Sequence, residues 1–175
     1  ATTRLGNLTS PMRDRFGVVL RVDYYETEDL FHIINRSANI LEVGINDDGA
    51  MELASRSRGT PRIANRILRR ARDFAQIESN GEIDLDVARF CLDKLGIDEI
   101  GLDDMDRKIL SVLIDQFSGG PVGLKSLSVA IGEDPTTIED VYEPFLIKEG
   151  FLIRTSRGRI AQESAYDLLG KKKFK

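Results

Sequence analysis

The chain is poor in the side chains that most enzymes use for chemistry. Its 175 residues include one cysteine, Cys91, and one histidine, His32. A single cysteine excludes a disulfide framework and a cysteine-rich zinc site. A single histidine leaves most His-based metal and acid–base sites without their parts. Tryptophan is absent and aromatics make up 7% of the chain, so the core must come from Leu, Ile, Val and Ala. No apolar run approaches the roughly 18 residues of a membrane span, and the N-terminus has no signal-peptide pattern. These absences read as a soluble, intracellular protein. No GxxxxGK[ST] or other glycine-rich phosphate loop occurs, so this chain alone is expected neither to hold ATP tightly nor to hydrolyse it.

What is present is charge, and it is segregated. The formal net charge is −4. Residues 1–72 carry 12 basic and 9 acidic side chains, residues 73–147 carry 5 and 17, and residues 148–175 carry 8 and 3. Such blocks suggest surfaces with different partners, the basic ends suited to polyanions and the acidic middle not.

Residues 1–22 read as the tail of a larger domain. The run VVLRV has strand character, but one strand with nothing beside it does not stand alone. Residues 23–98 read as four helices. Thr27, Asn46, Thr60 and Asp84 stand at their N-caps, and Pro61 suits a first helical position. Gly96 ends the last of them. IDEIGLDDMD reads as a linker, although Asp103, Asp104 and Asp106 also favour a helix start over a metal site. Over 99–170 the order is helix, short helix, helix, hairpin, which is a winged helix. Thr136 and Glu139 form a capping-box pair at its third helix. Residues 171–175 read as a disordered basic tail. His32 and Cys91 read as structural. The fold class is therefore mainly α: a helical domain, then a winged helix, preceded by the end of something larger.

Arginines supply the candidate sites. Arg56, Arg58, Arg62, Arg66, Arg69, Arg70 and Arg72 occur with no acidic residue between Leu53 and Asp73. Arg66, Arg69, Arg70 and Arg72 read as a solvated face. Arg62 is different, because it sits in a helix's first turn where the dipole repels a cation, so an anionic partner is expected. In SPMRDRFG, Arg13 and Arg15 stand in a polar loop with Phe16 as an anchor, which a local Arg–Asp pair would explain equally well. In FLIRTSRGRIA, a four-residue turn makes Arg154 and Arg159 cross-strand neighbours. Facing like charges destabilise a hairpin, which suggests an anion between them, most simply a phosphate; two side chains splayed into water are the alternative. The helix that would read bases carries Glu139, Asp140 and Glu143, so backbone contacts without base readout are expected.

These segments are recognisable. LTSPMRDRFG, SRGTPRIANRILRRARDFA, GLDDMDRKIL, GGPVGLKSL, IEDVYEPFLIKEGFL and RTSRGRIA resemble, in order, the C-terminal part of the RuvB family, the AAA+ ATPase motors of bacterial Holliday-junction branch migration. The resemblance implies an AAA+ helical lid followed by a winged helix, with 1–22 ending the α/β P-loop domain. It implies a parent that uses ATP and Mg2+, whose phosphate and metal sites lie upstream. Thr3 matches the sensor-1 residue, Arg15 the finger that reaches a neighbouring subunit's ATP (Arg13 being the alternative), Tyr25 a nucleotide-contacting tyrosine and Arg62 the sensor-2 arginine. Arg154, Arg157 and Arg159 match the DNA-contacting wing. The implied partners are duplex DNA at Holliday junctions, a homo-hexameric ring, RuvA and the resolvase RuvC, in the bacterial cytoplasm at the nucleoid. The rivals are an origin-recognition or clamp-loader relative, or a stand-alone winged-helix regulator; the latter needs none of Arg15, Tyr25 and Arg62.

Overall fold

The computed structural model describes residues 9–18, 20 and 22–172. A short helix, α1 (Ser10–Asp14), comes first, where a loop was expected. Val18, Leu20 and Val22 follow with exposed side chains and, among the described residues, pair with no strand.

The first domain is built from α2 (Thr27–Ile40), α3 (Asp47–Ser55), α4 (Pro61–Glu78) and α5 (Leu85–Lys94). Two-residue strands β1 (Gly44–Ile45) and β2 (Glu82–Ile83) pair in parallel between them. Leu30 and Ile34, Leu53, Ile67 and Leu68, and Leu92 are fully buried at helical spacing, and together they form one core. Removing a side chain of this kind typically costs about 2–5 kcal/mol. Asn46 caps α3 by accepting the Gly49 N–H at 2.8 Å, and Asp84 caps α5 by accepting that of Val87 at 2.9 Å. The other two expected caps differ. Helix α2 begins at Thr27 itself, after an uncapped Glu26, and Thr60 precedes Pro61 without a side-chain cap.

The second domain begins earlier than a linker would allow. Leu102 is fully buried in its core. Asp98 folds the preceding turn by accepting the Ile100 and Leu102 N–H groups at 3.0 and 2.8 Å. Asp103 then caps α6 (Asp104–Asp115) in a reciprocal capping box with Asp106. IDEIGLDDMD is therefore a structured joint, because its aspartates find backbone donors locally. Helix α7 (Leu124–Ile131) ends at Gly132. The third helix is opened by Asp134, which accepts from Thr136 and Thr137, and not by the Thr136–Glu139 pair. It runs through α8 (Pro135–Thr137), a π-helical turn (Ile138–Tyr142) and α9 (Glu143–Lys148).

Strands β3 (Leu152–Thr155) and β4 (Gly158–Ala161) form an antiparallel wing in which Arg154 faces Arg159. Val122 forms an isolated antiparallel bridge to Arg159. Gly158 is required there: φ is 132°, and a Cβ would lie 2.2 Å from the Val122 carbonyl oxygen. A last helix, α10 (Glu163–Leu168), buries Ala165 and Tyr166. Lys171 is not a loose tail residue, since its N–H donates to the Tyr166 carbonyl at 2.8 Å and its ammonium pairs with Asp115.

Candidate functional site

Two clusters of arginine bear on function, one at the start of α4 and one on the wing. Pro61 and Arg62 open α4, whose first turn contains no acidic residue. Arg62 is exposed, and among the described residues no carboxylate pairs with it. It lines a groove of about 370 Å³ with Ser37, Ile40, Leu41, Asn65 and Arg69. The dipole of the helix end and this guanidinium put positive potential at one place. Further along α4, Arg70 and Arg72 pair with Asp73 at 3.6 and 2.9 Å.

Tyr25 is brought to the same loop. Its N–H donates to the Gly59 carbonyl at 2.9 Å, three residues before Arg62. Gly59 has φ 69°, and a Cβ there would lie 2.8 Å from Tyr24 Cβ, so this close crossing requires glycine. Arg15 follows α1 with an exposed side chain, and among the described residues it contacts neither Tyr25 nor Arg62. Arg13 lies within α1. Thr3 lies outside the described residues.

The wing is organised by an acid that sequence reasoning placed on the wrong side of the argument. The anion between Arg154 and Arg159 is Glu143. Its side chain is 1% exposed, and it takes Arg159 Nε at 2.5 Å and Nη2 at 3.2 Å. It also accepts from Arg154 Nη2. Glu139 adds a second carboxylate at 2.9 Å from Arg154 and 3.7 Å from Arg159. Glu143 was expected to repel nucleic acid from an exposed reading helix; instead it is consumed by the wing, and it holds Arg154 more firmly protonated than an ordinary arginine. The two arginines are unequal. The Arg159 side chain is 10% exposed and that of Arg154 44%. Arg157, at the tip, is exposed, with no carboxylate partner among the described residues.

Arg58, to which the sequence assigned no role, is also buried. Its Nη2 lies 2.7 Å from Asp106 and 3.0 Å from Asp103. Burial pushes the Asp106 carboxyl up to about 7, against the pull of Arg58 and the Asp103 N–H. No local sequence signal marks Arg58, whose partners stand some 45 residues on. Glu143 did have one, since two facing arginines call for an anion and the chain's own nearest acids were candidates.

The remaining candidates are quiet. Cys91 is fully buried, and desolvation raises its thiol to about 12, which makes it a poor nucleophile. His32 is exposed on α2, edge-on to Phe31. Among the described residues no group of His, Cys, Asp and Glu could hold a metal ion, and no helix is long and apolar enough to cross a membrane.

Comparison with known proteins agrees with both halves. Residues 25–98 match the RuvB AAA lid domain, and residues 99–170 match the RuvB C-terminal winged helix domain. The chain belongs to the RuvB family. Among solved structures it is similar to a point mutant of Thermotoga maritima RuvB, with 46% identity and a TM-score of 0.91 over 98% of this chain and 57% of that one. It is similar as well to the Thermotoga maritima RuvB Holliday junction branch migration motor, at 45% identity and TM-score 0.89 over 95% of this chain and 56% of that one. It thus spans a little over half the length of these RuvB relatives. The origin-recognition, clamp-loader and regulator readings are set aside by these matches.

Proposed function

We propose that this chain is the C-terminal part of an ATP-dependent motor for Holliday-junction branch migration, comprising the lid, residues 23–98, and the DNA-gripping winged helix, residues 99–170. The observation that carries it is the ordered match of both domains to RuvB across nearly the whole chain. In this reading residues 1–22 end the large ATPase domain. The parent works as a hexameric ring with RuvA and RuvC at the junction, in the cytoplasm.

Arg62 and the α4 N-terminus fit a nucleotide's terminal phosphate, because their positive charge has no acidic partner within the described residues. Tyr25, tied to the same loop through Gly59, would border the nucleotide. Mg-ATP, when bound, supplies the phosphoryl group and the cation that shields it. Arg15, exposed beyond α1, would reach the neighbouring subunit and stabilise transition-state charge; such fingers are worth about 10³–10⁵ in rate, or about 4–7 kcal/mol. On the wing, Arg157 and the open side of Arg154 would contact phosphates, while Arg159 serves as a strut. A motor that must follow any sequence is served by backbone contacts.

The test is ATP-driven branch migration of a synthetic four-way junction by the parent protein. The expected result is conversion that is lost in Arg15→Ala while ATP still binds, and is restored in part when that variant is mixed with a subunit defective in its phosphate loop. A wild-type parent that hydrolyses ATP without moving the junction would overturn the assignment.

A further inference from the structure

We infer that Arg58 is a positioning residue that locks the lid to the winged helix, so that movement of the Gly59–Arg62 loop is delivered to the wing. The guanidinium directs its Nε and Nη2 donors and its planar face across the boundary between the two domains. Nε donates to the Gly101 carbonyl at 2.8 Å. Nη2 reaches the Asp106 carboxylate at 2.7 Å and that of Asp103 at 3.0 Å, at the capped end of α6. Its face lies 4.8 Å from the centre of the Phe145 ring, on α9. One side chain of the lid therefore holds the joint, α6 and α9 together. Lysine could not reproduce this, having neither the fork nor the planar face.

The backbone agrees. Arg58 has φ 56°, a left-handed conformation that costs a non-glycine residue, and Gly59 follows at φ 69°. The turn is stiffened from both sides, with the Thr60 hydroxyl donating to the Arg58 carbonyl at 3.3 Å and the Thr60 N–H to the Ser57 carbonyl at 3.0 Å. Two lesser contacts brace the boundary: Arg56 donates to the Asp98 carbonyl at 3.0 Å, and Lys148 lies 5.1 Å over the Tyr24 ring. A buried ion pair is weak evidence for stability, and its best-attested use is to fix one arrangement among several. Here the arrangement fixed links Arg62, four residues beyond Arg58, to Phe145, two residues beyond the Glu143 that grips the wing.

The joint stands on geometry alone, whereas its consequence rests on the motor reading, and the test separates them. Exposed Arg36 on the lid and Lys125 on the winged helix are replaced in this chain (Arg36→Cys, Lys125→Cys) and spin-labelled; buried Cys91 stays unlabelled. The expected distance distribution is narrow with Arg58 present and clearly broadened in Arg58→Gln, with Arg58→Lys between them. An unchanged distribution in Arg58→Gln, with both domains folded by circular dichroism, overturns the lock. If Arg58→Gln does not fold, Arg58→Lys decides by the same criterion. In the parent, Arg58→Gln should lower the stimulation of ATP turnover by duplex DNA about fivefold or more, leaving basal turnover and duplex affinity near wild type. A broadened distribution with full stimulation would keep the lock and overturn its role in transmission.

Discussion

The arginines of α4 and those of the wing look alike in the sequence and stand in opposite electrostatic settings. Arg62 and Arg66 are exposed, with no carboxylate partner among the described residues. Arg154 and Arg159 share the buried carboxylate of Glu143 and the half-exposed one of Glu139. The same residue type is therefore available charge in one place and framework in the other. Density of like charge along the chain does not distinguish them. What does is whether the fold delivers a carboxylate, and for the wing it arrives from a helix 11 to 16 residues away.

The sharpest way to break this contrast is to remove the internal anion. Glu143→Ala leaves buried Arg159 with only the half-exposed Glu139 carboxylate, 3.7 Å away, and strips Arg154 of its closest partner. A broken buried pair of this kind costs about 3–5 kcal/mol. Arg62→Ala removes an exposed side chain and should change stability by less than about 0.5 kcal/mol. Thermal denaturation of this chain checks both. Equal, small effects would mean that Glu143 is not structural and that the wing arginines are as free as those of α4.

What was legible in the sequence follows a single physical rule. Features set by neighbours along the chain were readable: the Asn46 and Asp84 caps, the Pro61 helix start, and the wing register, which follows from the length of one turn. Features set by distant partners were not. Arg58 meets Asp106 across 48 positions, and nothing near either residue announces it. The Ile97–Asp106 stretch read as a linker because its polar residues suit a loop, yet its carboxylates fold a capped joint. Even locally, two acceptors competed for the α8 start, and Asp134 displaced the Thr136–Glu139 pair because it lies closer to the free N–H groups. The sites divide in the same way. Spacing named the candidate positions, but which of them are free for a ligand depends on carboxylates that spacing could not place.

The second test addresses Arg62 as available charge. In the parent, Arg62→Ala should lower ATP turnover by about a hundredfold, the scale for losing one preorganised positive group at a reacting phosphate. Arg66→Ala, one turn along α4 and also exposed, should leave turnover within about twofold. A comparable loss in both would mean that the face acts through its overall field, not through Arg62 at the helix end.

The smallest effects belong to the exposed part of the wing, and they sharpen the contrast within it. Each phosphate contact contributes about 0.9 to the slope of log affinity against log salt. Arg157→Ala should flatten that slope by about 0.9 and weaken binding equally on two duplexes of unrelated sequence. Glu139→Gln should do the reverse in lesser measure. It removes the carboxylate 2.9 Å from Arg154 but leaves Glu143 in place, so part of the Arg154 charge becomes available and the slope steepens by less than one unit. Titrations of this chain at several salt concentrations measure both variants. A loss at Arg157 that differs between the two duplexes would show that the wing reads bases. No change at Glu139→Gln would show that Glu143 alone consumes the Arg154 charge, leaving Arg157 as the phosphate contact of the wing.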